Sequence, residues 1–127
     1  MTKPDTMVLI VAKPSQFREG LLAMLTSIPQ IKQVGQADDG LSALKMAVQH
    51  YPALVLMDFD LSSGEVLVAT LEQIKATWPQ SQGIALVHNE QEYQLAKAAG
   101  ADVILMKGVP ATKLLAIIKE LLSRQET

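Results

Sequence analysis

The sequence contains no cysteine, which excludes disulfides, thiolate metal sites and cysteine nucleophiles and suits a reducing compartment. Aromatic residues make up only 4% of the chain, so the core has to be built from aliphatic side chains. Neither sign of charge dominates: 11 lysines and arginines stand against 13 aspartates and glutamates, a formal net charge of −2. Without a basic excess to displace phosphate counterions, direct nucleic-acid binding by this domain is not expected. No apolar run approaches the roughly 18 residues of a membrane span. The opening Met1-Thr2-Lys3-Pro4-Asp5-Thr6 is polar and carries an acid, unlike a signal peptide. A cytoplasmic protein without membrane association is expected. What the chain does have is aliphatic residue. At 49% hydrophobic it is too apolar and too weakly charged to be disordered. Its 127 residues suit one domain, expected over 1–127 with tails at 1–6 and 125–127.

Short β-type runs alternate with longer segments of helical period. The runs are Met7 to Val11, Ile31 to Ala37, Ala53 to Met57, Gly83 to Val87 and Val103 to Met106. Three of them are continuously apolar, which predicts strands covered on both faces, as in a parallel sheet. Helical stripes supply the cover: Phe17, Leu21, Leu22, Leu25 and Ile28 in the first, Leu41, Leu44, Met46, Ala47 and Val48 in the second. Val66, Leu67, Leu71 and Ile74 mark the third helix, and Tyr93, Leu95, Ala96 and Ala99 the fourth. Gly100 suits a left-handed C-cap, and Pro110 suits the first turn of a Leu- and Ile-rich fifth helix. The pattern predicts an α/β fold: a doubly wound, five-stranded parallel (βα)5 sheet of flavodoxin-like order 2-1-3-4-5.

Ligands on such a sheet sit beyond the carboxyl ends of the strands. There the sequence places Ala12-Lys13-Pro14-Ser15-Gln16, Asp58-Phe59-Asp60, Val87-His88-Asn89 and Lys107-Gly108. A carboxylate, Asp58, and an ammonium, Lys107, are thus predicted to face each other. Asp38 and Asp39 before Gly40 are read as helix-capping residues, and Arg18 and Glu19 as a solvated helix face. Met24, Met46, Met57 and Met106 are read as core filling. His88 stands beside this set but has no carboxylate partner identified in the sequence.

Several ordered pieces resemble a known family. They are Val8-Leu9-Ile10-Val11 followed by Phe17-Arg18-Glu19-Gly20-Leu21, Asp39-Gly40, Pro52-Ala53-Leu54-Val55-Leu56-Met57-Asp58, and Gly100-Ala101-Asp102 leading to Lys107. Together they are similar to the CheY-like receiver domain of two-component response regulators, most of all the NarL type. The resemblance implies a phosphoacceptor at Asp58, phosphorylated by a histidine kinase, and a pairing lysine at Lys107. It also implies an acid pair that holds Mg²⁺, a Thr or Ser after the fourth strand, and an aromatic switch on the fifth. Here Ala12 and Lys13 stand at the acid pair, Val87 at the hydroxyl position and Ile104 at the aromatic one. The family further implies a homodimer through the face of the fourth helix, fifth strand and fifth helix.

Asp58, Asp60, Lys13 and Lys107 sum to zero charge. A neutral pocket containing ammonium groups offers little to a hard divalent cation, which takes several oxygen ligands. An ammonium about 4 Å from a carboxylate is favourable by roughly 4 kcal/mol at an effective dielectric near 20, before desolvation. The expectation is therefore a metal-independent site with no cofactor, in which Lys13 and Lys107 together hold Asp58 ionised. Signalling would then run through protein–protein contact with a histidine kinase or another signalling protein. The alternative is a working receiver, phosphorylated on Asp58 with Mg²⁺ and controlling a partner or a DNA-binding output domain. In that case weak metal binding by Asp58 and Asp60 is the place to look. A flavodoxin-like cofactor binder is a further alternative. The loop after the first strand argues against it, since Ala12-Lys13-Pro14-Ser15-Gln16 has no glycine and few free N–H groups for a phosphate. No nucleophile–histidine–acid set or Gly-rich nucleotide motif is present, so neither an enzyme nor a small-molecule substrate is expected.

Overall fold

The computed structural model describes residues 6–59 and 64–125. Strands and helices alternate: β1 (Met7–Val11), α1 (Gln16–Thr26), β2 (Gln33–Ala37), α2 (Gly40–His50), β3 (Leu54–Asp58), α3 (Gly64–Thr77), β4 (Gln82–Val87), α4 (Glu90–Ala98), β5 (Val103–Met106) and α5 (Ala111–Gln125). All pairings are parallel, in the order β2-β1-β3-β4-β5. This is the architecture expected from the alternating pattern.

The two central apolar runs explain the layering. Leu9, Val11, Val55 and Met57 point to one face, where they meet Ala43 of α2, Leu67, Leu71 and Ile74 of α3 and Ala96 of α4. Val8, Ile10, Leu54 and Leu56 point to the other, against Leu21 and Leu25 of α1 and Leu114 and Ile118 of α5. Successive strand residues alternate sides, so a run with no polar position requires helices on both faces.

β5 departs from that expectation. Its run is just as apolar, but Val103, Ile104 and Leu105 are only partly buried and Met106 is 52% exposed. β5 is an edge strand with a neighbour on one side only, a position that hydropathy does not encode. Met106 is therefore not core filling. Leu41, Val48 and Val66 are also exposed. The buried face of α2 is instead Gly40, Ala43 and Ala47, small residues that let it pack closely on α3. A Cβ at Gly40 would collide with Oγ1 of Thr70.

The turns follow local chemistry. Gly100 follows the C-cap of α4 at φ 94°, the left-handed region that glycine enters most cheaply. Tyr51 closes α2 in the same region at φ 48° without glycine's freedom. Pro110 stands one residue before α5 and accepts the N–H of Leu114 through its carbonyl at 3.2 Å. Asp102 fastens the starts of β4 and β5. Its Oδ2 accepts the Gly83 N–H at 2.7 Å and pairs with Lys75 at 2.8 Å.

Candidate functional site

The strand register brings four carboxyl ends together. Val11 pairs with Met57, Asp58 with Leu86, and Val87 with Met106. Lys107 continues directly from β5, with its N–H donated to Val87 O at 2.8 Å. Its side chain then reaches across the end of β4, and its Nζ donates to Asp58 Oδ2 at 2.9 Å. The Lys107 and Asp58 side chains are 27% and 14% exposed, so the pair is partly shielded from water. The second carboxylate oxygen, Asp58 Oδ1, is buried and accepts no hydrogen bond among the described residues. The pair opens onto a cavity of about 500 Å³, which Lys13, Phe17, Asp38 and Asp39 also line.

In the sequence Phe17 reads as part of an apolar helix face and as the start of the Phe17-Arg18-Glu19-Gly20-Leu21 stretch. In the structure its ring centre lies 4.2 Å from Lys107 Nζ, within the range of a cation–π contact. Lys107 thus stands between a carboxylate and an aromatic face.

Lys13 is exposed and lines the cavity, yet among the described residues Lys107 is the one cation at ion-pair distance from Asp58. Ala12 is buried, and its backbone is fully used: the N–H donates to Ala37 O at 3.0 Å and the carbonyl accepts from Arg18 Nη1 at 3.1 Å. The same Arg18 nitrogen donates to Asp38 Oδ1. Arg18 is only 16% exposed, so it is no solvated side chain; it ties the β1–α1 loop to the β2–α2 loop. Asp39 alone caps α2, accepting the Ser42 N–H at 2.8 Å. That backbone hydrogen bond is the main reason its carboxyl is held below its ordinary value of 3.8.

Val87 is fully buried and lies in the same cluster as Phe59, with Ile104 packed against it. The positions read as hydroxyl and aromatic switch are thus both aliphatic and face the α2–α3–α4 side. His88 does have a carboxylate partner. Glu92 Oε1 accepts the His88 N–H at 2.6 Å and lies 3.1 Å from its Nδ1, while Glu92 itself is only 2% exposed. The signal was present as Asn89-x-x-Glu92: Asn89 Oδ1 accepts the Glu92 N–H at 2.9 Å, and the Glu reaches back over the helix start, as in a capping box. Asp60 lies outside the described residues.

A family model described as the response regulator receiver domain matches residues 8–119. The chain belongs to that family. It is a receiver domain of the two-component response-regulator type, a family of signalling modules. DegU, a transcriptional regulatory protein of Brevibacillus brevis, is 25% identical over 114 residues, covering 88% of this chain and 48% of DegU. The response regulator GacA of Pseudomonas aeruginosa is 29% identical over 119 residues, 93% of this chain and 56% of GacA. The chain thus spans about half the length of the curated relatives it matches. The receiver domain of the putative response regulator NarL from Mycobacterium tuberculosis superposes with a TM-score of 0.79 at 22% identity, over 95% of this chain and 98% of that one. That likeness is one of fold.

Receivers of this family are associated with Mg²⁺, and the residues of this one fit it poorly. At the positions where the resemblance implies an acid pair, Ala12 contributes a methyl group and Lys13 a positive charge. Asp58 Oδ2 already accepts from Lys107, Asp38 from Arg18 and Asp39 from the start of α2. Among the described residues no three carboxylate or imidazole groups are gathered as metal ligands. Mg²⁺ demands six oxygens in near-octahedral array, and among the described residues the buried side-chain oxygen left without a hydrogen bond is Asp58 Oδ1.

Proposed function

We propose that this receiver signals through protein–protein contact, with Asp58 a weak or vestigial phosphoacceptor held in a metal-independent charge pair with Lys107. The observation that carries this reading is the 2.9 Å Asp58–Lys107 contact beside a buried Ala12. Phosphoryl transfer to a carboxylate depends on cations that neutralise the transferring oxygens. Among the described residues Lys107 is the ammonium at ion-pair distance from Asp58, and no three carboxylate or imidazole groups gather to recruit a divalent cation. The readout chain is altered as well: with Val87 and Ile104 in place of a hydroxyl and an aromatic ring, the usual relay to β5 lacks both its polar and its rotating member. The partner we infer is a histidine kinase or an output domain of a two-component system, with self-association through the α4–β5–α5 face as the mode of assembly. The site of action we propose is the cytoplasm, which the cysteine-free composition suits.

One observation favours a working phosphoacceptor instead. Asp58 Oδ1 has no hydrogen-bond partner among the described residues, which leaves a carboxylate oxygen ready for a ligand. Incubation with acetyl phosphate or beryllofluoride and Mg²⁺ decides between the two. The proposed reading expects substoichiometric modification by intact mass. Stoichiometric, Mg²⁺-dependent modification that Asp58→Asn abolishes would establish the working receiver.

A further inference from the structure

We propose that Phe17 is the positioning residue for Lys107, its ring face holding the ammonium on Asp58. The inference rests on the reading of Asp58 and Lys107 as a standing charge pair and adds the element that keeps it standing. An ammonium is a strongly hydrated point charge on a flexible stem. With Lys107 27% exposed, water competes with Asp58 for the ammonium. The ring changes that. Its negative face attracts a cation electrostatically, and at 4.2 Å from the ring centre Nζ lies close to both the ring and Asp58 Oδ2.

The ring is itself fixed by its sequence neighbours. Ser15 caps α1 and accepts the Arg18 N–H at 3.1 Å, which sets the first turn of the helix. Arg18 then grips Ala12 O and Asp38, which ties that turn to the ends of β1 and β2. Phe17 lies between these two anchors and packs on the α1–α5 side of the sheet. Ser15, Phe17 and Arg18 therefore act as one device: cap, platform and tether. A Leu at 17 would serve the hydrophobic core about as well and would leave the ammonium without its second partner.

Two readouts separate positioning from packing. In the wild-type protein the Lys107 Hε resonances should lie upfield of those of exposed lysines such as Lys119, because the ring shields them. In Phe17→Leu they should move to the Lys119 values. Pulse acetylation of Lys107 by an amine-reactive ester, read by mass spectrometry, should speed up about two- to fivefold in Phe17→Leu, with Lys119 unchanged. Phe17→Trp should keep the slow rate, and pentafluorophenylalanine at 17, equal in shape but reversed in quadrupole, should give the fast one. Unshifted Lys107 resonances in the wild-type protein overturn the proposal even if Phe17→Leu fails to fold. So does an acetylation rate that is the same with phenylalanine and its fluorinated analogue. If Mg²⁺ displaces the Lys107 resonances in the wild-type protein, the standing-pair reading fails while the ring contact in the metal-free protein is still measured.

Discussion

The Lys107 ammonium lies 2.9 Å from Asp58 Oδ2, linking the carboxyl ends of β5 and β3, two strands that have β4 between them. The contact spans 49 positions of sequence and crosses the top of the sheet. It is a clasp between two strands that are not neighbours in the sheet.

Breaking this pair from its two sides should cost different amounts. Lys107→Met leaves a carboxylate that is 14% exposed without its cation, whereas Asp58→Asn leaves a lysine that is 27% exposed and freer to reach water. Lys107→Met should lower unfolding free energy by about 1–3 kcal/mol and Asp58→Asn by less than about 1 kcal/mol. Urea unfolding at pH 7 measures both.

The start of α2 should respond to acid. Asp39 titrates below its ordinary value because the folded state donates the Ser42 N–H to its carboxylate. The unfolded chain therefore takes up the proton at higher pH than the native one. The cap's contribution is present above 3.8 and is lost as pH falls through the lower native value. A carbon-detected NMR titration should place the Asp39 midpoint below 3.8. Asp39→Asn, which keeps an acceptor oxygen, should remove this part of the acid response.

Glu92 should matter more as an acceptor than as a charge. Its Oε1 takes the His88 N–H at 2.6 Å from a nearly fully buried position. Glu92→Ala should cost about 1–2 kcal/mol through the lost cap and the unsatisfied donor. Glu92→Gln keeps an acceptor and should cost less than half as much. Thermal unfolding of the two variants makes the comparison.

The fold was legible because β1 and β3 are unbroken apolar runs between amphipathic helices, a pattern with few other solutions. Asp58 and Lys107 were legible because each directly follows such a run, so the register that pairs the strands also brings the two residues together. Met106 misled because hydropathy reports what a residue prefers and not whether its strand is at an edge. Leu41 and Val48 misled because the close face of α2 is made of Gly40, Ala43 and Ala47, and small residues carry little weight in an apolar stripe. Phe17 and Arg18 were hidden for a different reason. An aromatic ring at helical spacing and an arginine beside it look like core and solvent face, and their roles exist only relative to Lys107, Ala12 and Asp38, which are distant in sequence or lie across the loop.

Metal independence of the Asp58 site is tested most directly by titrating the protein with Mg²⁺ and following the backbone and side-chain NMR resonances of Asp58, Lys107 and their neighbours. With Asp58 on Lys107 and Ala12-Lys13 at the end of β1, these resonances should stay unmoved through millimolar Mg²⁺. Saturable shifts centred on Asp58, lost in Asp58→Asn, would contradict the account and show a site built around a divalent cation.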